Sequence, residues 1–274
     1  MKDILEKILR GPIRIYNENL IRKIYNRKMN LKPLDEKEKT LVFVPHVDDE
    51  VIGLGAYLLQ CEKEHLLLYS TDSGGSLSDS DYDEIAEERF SEALMAAKAM
   101  GIEKVETLGI NEDTFIEGCV EKQALLKKII EENQFHRIFT VSPYDNHPIH
   151  RETTKLLLSV MDSIPEHCRI TLYEVSNLMP RHWITSYFPM NRELFREKKR
   201  LYSYFPSQTG TMDFDIFQRL NRAKGRILDN HIYAAEFFSD LSKEEFSERM
   251  ISFERLDIPS HRIGNHRSFR KTQW

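Results

Sequence analysis

The sequence predicts an α/β protein with a doubly wound, mostly parallel sheet in a Rossmann-like three-layer α/β/α arrangement. Two observations predict it. Short apolar or β-branched runs recur at 40–46 (TLVFVPH), 66–71 (LLLYST), 104–109 (KVETLG), 137–143 (RIFTVSP) and 169–175 (RITLYEV), as buried parallel strands require. Longer segments of helical period separate them, and alternation of strand with helix is the mark of βαβ units. In such sheets ligands sit outside the carboxyl ends of the strands, so the residues just past each strand carry the functional signal.

Composition narrows the function classes. The 274 residues, 41% of them hydrophobic, suffice for one sizeable core. A formal net charge of -5 offers no field to draw a polyanion, so no nucleic-acid partner is expected. Cys61, Cys119 and Cys168 are odd in number and far apart, which argues against a disulfide framework or a cysteine zinc site and suits a reducing compartment. The opening MKDILEKILRGPIRIYNENLIRK interrupts its apolar residues with a charge every three or four positions, unlike a signal peptide or a membrane span. A soluble, cytoplasmic protein is expected.

Taken in order, residues 1–37 form an N-terminal helical extension and residues 38–274 a single catalytic domain. Residues 1–32 carry six more positive than negative charges, with Ile4, Leu5, Ile8 and Leu9 on one face. This segment suits packing on its own domain or on a second copy, with peripheral contact to an anionic membrane as the alternative. The strand at 40–46 follows and ends at His46, after which Asp48, Asp49 and Glu50 open a helix carried by Val51, Ile52, Leu54, Leu58 and Leu59. Acids suit a helix N-terminus, yet capping needs only one of them, and it does not need a histidine two residues ahead of a pair. Over 83–100 the apolar residues Ile85, Phe90, Ala93, Leu94, Ala97 and Met100 fall near helical spacing, with acids in the first turns and Gly101 as the stop.

The strand at 137–143 leads into SPYDNHPIHRETTKLLL (142–158), which holds Asp145, His147 and His150 before a helix from about Arg151. One such loop is ambiguous. Two loops on one sheet edge, both offering histidine and carboxylate, point to a metal site, because two imidazoles and a carboxylate with an open position suit catalytic zinc and also ferrous iron.

These residues resemble the PIG-L or LmbE-like metal-dependent N-deacetylases, whose signature is a PHPDDE block followed later by HPDH. Here the blocks read Pro45-His46-Val47-Asp48-Asp49-Glu50 and His147-Pro148-Ile149-His150. The resemblance continues through TDSGGS (71–76), RFSEALMAAKAMGIEKVETLG (89–109), LYEVSN (172–177), KKRLYSYFPSQ (198–208) and YAAEFF (233–238), in the family's order.

The resemblance implies that His46, Asp49 and His150 ligate the metal, zinc or else iron, and that Asp48 is the general base toward water. It implies that His147 acts as general acid or oxyanion stabiliser and that Arg89 contacts the substrate's sugar. Glu50 and Asp145 are expected to support the site from behind the ligands. Two departures stand out. Val47 replaces a proline, which should loosen the turn slightly. Ile149 replaces the acid of HPDH and cannot orient or charge a histidine, so His147 is expected to lean on Asp145 or to hold a lower pKa than is usual in the family.

The aromatic-rich stretch 182–206 and the basic end 261–274 are further places for specificity, with core and lid packing as the plainer reading. His231, which precedes YAAEFF, is expected on a helix, and it, His65, His136, His167, His182, His261 and His266 are read as structural or surface residues. The function implied is hydrolysis of the acetamide of an N-acetylated amino sugar, of N-acetylglucosamine-conjugate type. The alternatives are deacylation of another amide on a glycoside or antibiotic scaffold, and a non-catalytic sugar-binding relic.

Overall fold

The computed structural model describes residues 2–25, 29–75, 82–209, 212–229, 231–255 and 261–262. The five strands expected from the sequence form a parallel run: β2 (Lys39–Val44), β3 (Glu64–Thr71), β4 (Lys104–Ile110), β5 (Arg137–Val141) and β6 (Arg169–Tyr173). Three more strands extend the sheet, β1 (Lys32–Pro33), β8 (Ser186–Met190) and β9 (Ala234–Leu241), giving the order β1-β8-β9-β6-β5-β2-β3-β4. β9 runs antiparallel to both β6 and β8. A two-residue strand β7 (Asn177–Leu178) pairs with β10 (His261–Arg262) in a separate ribbon.

The period of two along each strand divides the core in two. Leu41 and Phe43 of β2, Leu66 and Leu68 of β3 and Ile170 and Leu172 of β6 enter one apolar cluster. Val42 and Val44, Leu67 and Tyr69, and Tyr173 enter the other, on the opposite face. The first face is covered by α1 (Lys2–Ile24), α4 (Phe115–Asn133), α5 (Pro148–Ser159), α8 (Phe214–Leu228) and α9 (Lys243–Arg255). The second is covered by α2 (Asp49–Gln60), α3 (Tyr82–Ala99) and α6 (Arg192–Leu201), with the short α7 (Pro206–Thr209) beside α3. Helices on both faces make the three layers.

Two expectations are revised. His231 is not on a helix: it lies in the turn before strand β9, which residues 234–238 open with Ala235 and Phe237 facing one cluster and Ala234 and Phe238 the other. Part of the stretch 182–206 is likewise a strand, β8, rather than a lid.

In the extension, α1 packs along α8, with Ile13 and Ile21 buried in the core and Arg14 3.2 Å from Asp215. The face made by Ile4, Leu5, Ile8 and Leu9 and the basic end beyond residue 262 lie outside the described side chains. Among the described residues no helix is long and apolar enough to cross a membrane.

The strand order places one feature of functional weight. From β2 the chain moves outward through β3 to β4, then returns through α4 to β5 on the other side of β2 and moves away through β6. The strand order therefore reverses between β2 and β5, and the crevice outside their carboxyl ends is where open α/β sheets bind ligands.

Candidate metal and catalytic site

Both histidine-bearing loops open into that crevice. β2 ends at Val44, and Pro45 and His46 carry the chain to the turn at 47–49. Asp48 stands in the left-handed region at φ 98°, a strained conformation for a residue with a β-carbon, and it separates the directions of Asp48 and Asp49. The turn is braced by the loop after β3. Thr71 donates its backbone N–H and its hydroxyl to the Pro45 carbonyl at 3.2 and 2.8 Å, and the Ser73 hydroxyl accepts from Val47 N–H at 3.1 Å. Val47 thus uses an N–H that a proline lacks, and the substitution that suggested a looser turn adds an anchor.

Three ligand atoms converge. His46 Nδ1 lies 3.1 Å from His150 Nε2, and Asp49 Oδ2 lies 3.3 Å from the first and 3.2 Å from the second. Two imidazole nitrogens facing each other with a carboxylate oxygen across both is the donor set of one ion held at about 2.0–2.2 Å, and the residues fit a divalent metal. His147 adds a third imidazole, its ring centroid 4.8 Å from that of His46 and 4.9 Å from that of His150. The ligand nitrogens of the three histidines lie within 4.8 Å of one another, a looser group than the triangle with Asp49.

Charge follows this geometry. Burial alone would raise the Asp49 carboxyl, but His150 and His46 outweigh it and hold it well below the usual carboxylate range. Burial, then the Asp49 charge, pushes the Asp48 carboxyl well up, with Arg89 opposing. The His147 residue reaches solvent, yet packing of its ring and then the His46 and His150 imidazoles push it down to about 3. It is therefore neutral at pH 7, and would accept a proton before delivering one.

The remaining expected residues fall as follows. Asp145 Oδ1 lies 3.3 Å from His150 Nδ1 and accepts the His147 backbone N–H at 2.9 Å, and Oδ2 accepts Ser176 N–H at 2.7 Å. Its carboxylate therefore faces the His150 ring, and meets His147 through the backbone only. Ile149 points the other way, buried in the cluster that holds Tyr144 and Trp183, so an apolar residue there extends the core. Arg89 donates Nη1 to the Ser73 carbonyl at 2.6 Å, tying α3 to the loop that braces the Asp48 turn. Glu50 is wholly buried beside the Tyr69 hydroxyl, and burial raises its pKa to about 8 against the opposing pull of backbone and Tyr69 hydrogen bonds.

Three participants lay outside the sequence reading's site. Glu112, just past β4, holds Oε2 3.7 Å from His46 Nε2, the nitrogen facing away from the triangle. It follows a parallel strand, as His46 and Asp145 do, and that position is the signal that would have found it. A β-carbon at Gly75 would collide with its carboxylate, so the glycine-rich loop is needed for their approach. The other two, Lys198 and Glu236, lie in the quoted motifs KKRLYSYFPSQ and YAAEFF. They meet at 2.6 Å beside α2, which is broken at Leu54 (φ -142°, ψ 18°) a turn beyond Asp49.

Comparison with known proteins agrees with the architecture. The PIG-L family model, described as GlcNAc-PI de-N-acetylase, matches residues 41–161. No curated protein sequence matches the chain. Among solved structures, the N,N'-diacetylchitobiose deacetylase from Pyrococcus horikoshii, in complex with its inhibitor MPG, is 20% identical with a TM-score of 0.65, over 84% of this chain and 92% of that one. A teicoplanin deacetylase in a zinc-inhibited form is 15% identical with a TM-score of 0.56, over 74% and 97%. GalB, the 4-carboxy-2-hydroxymuconate hydratase from Pseudomonas putida KT2440, is 15% identical with a TM-score of 0.63, over 74% and 95%. Deacetylases and a hydratase share this fold, so the fold alone does not choose the reaction.

Proposed function

We propose that this chain, whose residues 41–161 match the PIG-L family model, is a metal-dependent N-deacetylase acting on an N-acetylated amino-sugar conjugate. The observation that carries the reading is the triangle of His46, Asp49 and His150 with the Asp48 carboxyl buried beside it. The extension, residues 1–37, supports the domain that follows, and catalysis is assigned to residues 38–274.

A divalent ion at His46, Asp49 and His150 would supply a Lewis acid that acidifies water and polarises an amide carbonyl. Asp48, buried beside the triangle, takes the proton from the attacking water at its carboxylate. As the carbon–nitrogen bond breaks, the amine nitrogen receives a proton, and the products are acetate and the free amine. His147, neutral at rest and beside the triangle, is the group placed to relay that proton. Asp145 holds the His150 ring from behind, and Arg89 keeps the Ser73 loop against the turn that carries Asp48.

The test is metal analysis of the purified protein together with acetate release from a panel of N-acetylglucosamine conjugates. One equivalent of zinc or iron and turnover on at least one conjugate is expected. Bound metal with turnover only on longer acyl amides would favour the wider deacylase reading. Bound metal with no turnover on any N-acyl sugar would favour a sugar-binding relic. Absence of metal after reconstitution would sink the ligand assignment.

A further inference from the structure

The face of α8 beside α1 and α6 holds an open cleft of about 320 Å³, a size that suits a small ligand. Its charge departs from that of the whole chain. Lys199, Arg219, Arg222 and Arg226 line it against Glu18 and Asp215, a local excess of two positive charges in a protein of net charge -5. Arg219, Arg222 and Arg226 recur at intervals of three and four along one helix, so they share a face and repel one another unless an anion lies between them. The two acids relieve only part of this: Glu18 lies 3.5 Å from Arg219, and Asp215 is divided between Lys199 and Arg14. Arg222 and Arg226 have no carboxylate partner among the described residues.

Two further details indicate that the cleft is built for a ligand. Arg222 is held in place, its guanidinium 4.0 Å from the centre of the Tyr233 ring and its Nη1 donating to the Tyr233 hydroxyl at 2.7 Å, while its buried Nε has no partner. Gln218 lines the same cleft at 4% exposure, and its side-chain partner among the described residues is the Tyr202 hydroxyl. That one hydrogen bond leaves most of the amide's bonding capacity unused. A buried amide so incompletely bonded is costly, and a bound polar ligand is one way to satisfy it. Oriented guanidiniums match the oxygens of a phosphate group in paired hydrogen bonds, and an excess of two charges matches a phosphomonoester dianion.

We propose that this cleft between α1, α6 and α8 binds a phosphate-bearing ligand, with Arg222 and Arg226 as the principal contacts and Gln218 as the buried donor. The site is separate from the metal triangle and does not depend on the deacetylase reading. The phosphate can belong to a soluble phosphomonoester or to a lipid headgroup.

Titration calorimetry of the full chain with phenyl phosphate, which also offers a ring to Phe195, tests it. One saturable site is expected, weakened about tenfold or more in Arg226→Ala, whose side chain is exposed. Gln218→Leu should weaken binding of the phosphate probe. His46→Ala, which dismantles the triangle, should bind phenyl phosphate as the parent does. In parallel, sedimentation with phosphatidylcholine vesicles, with and without phosphatidic acid, identifies the source. Capture by the acidic vesicles that Arg226→Ala abolishes assigns the phosphate to a lipid, and phenyl phosphate binding without capture assigns it to a soluble ester. No saturable binding of either probe overturns the proposal. So does equal binding by the parent, Arg226→Ala and Gln218→Leu, or loss of binding in His46→Ala.

Discussion

The Lys198 ammonium lies 2.6 Å from the Glu236 carboxylate, and the pair is inserted into the break of α2. In an unbroken helix the Ala56 N–H would bond to the Ile52 carbonyl. Here the Ile52 carbonyl accepts from Lys198 Nζ at 2.9 Å, while Ala56 and Tyr57 donate their N–H groups to Glu236 at 2.8 and 3.1 Å. Side chains from α6 and β9 thus complete the hydrogen bonding of the helix whose first turn carries Asp49 and Glu50. Both charged residues are 1% exposed or less, so each depends on the other.

Removing one partner should therefore be severe. Lys198→Met or Glu236→Gln is expected to destabilise the fold by about 3–5 kcal/mol, because a buried charge is left uncompensated. The double variant Lys198→Met/Glu236→Leu should recover only part of this, since the Ile52 carbonyl and two N–H groups remain without partners. Urea unfolding measures all three, and full recovery in the double variant would show that the pair does not splint the helix.

Asp48→Asn and His46→Ala should separate chemistry from metal binding. The first is expected to retain metal and lose about a hundred- to ten-thousand-fold in turnover, as loss of a positioned base does. The second should lose the metal. Metal analysis beside acetate release reads both effects, and near-parental turnover in Asp48→Asn would mean that another group is the base.

Glu112→Gln removes the charge facing His46 Nε2 while keeping the shape. Carboxylates behind ligating histidines typically contribute ten- to a hundred-fold to metal affinity or activity, and a loss of roughly that size is expected in a competition titration for metal.

Glu50 gives a pH dependence whose sign is fixed by its burial. Its pKa rises from 4.5 to about 8 on folding, so between those values the folded protein holds a proton that the unfolded chain releases. Stability from this group is complete below about pH 4.5 and falls by roughly 1.4 kcal/mol per pH unit as pH rises toward 8. Glu50→Gln should remove that slope from the metal-free protein and be stabilising at pH 8 to 9, as urea unfolding across pH will show. Retention of the full slope in the variant would assign the proton to another group, of which Asp48, also raised, is the first candidate.

Gly53→Ala probes packing behind the site. A β-carbon there would overlap the buried Tyr173 ring, and overpacking of this kind costs about 1–3 kcal/mol. The melting temperature should fall, and because Gly53 lies between Asp49 and the break at Leu54, metal affinity should fall with it.

The parallel half of the fold was legible in the chain because β2, β3, β5 and β6 are buried along almost their whole length and read as mostly apolar or β-branched runs, with the more exposed edge strand β4 carrying a shorter signal of the same kind. β8 and β9 were not. The sequence PMN interrupts the end of the first, and the second opens with Tyr-Ala-Ala-Glu, whose small and polar residues favour no strand until they lie between β6 and β8. The histidines and acids of the site were visible because they follow strands at the sheet's carboxyl edge. Glu112 obeys the same rule, but a lone acid after a strand carries little signal without its neighbour.

By itself, then, the sequence determined the alternation of strand and helix, the two loops at the switch between β2 and β5, and the residue types able to hold a metal. These depend on local period and on spacing along the chain. Only the tertiary structure decided that Asp145 faces His150 while Ile149 turns into the core, that Glu112 stands behind His46, and that Lys198 and Glu236 complete a broken helix. Each of those relationships joins residues by the direction of a side chain or across chain separations that no local pattern encodes. They exist only once burial has chosen which face of each element meets its neighbour.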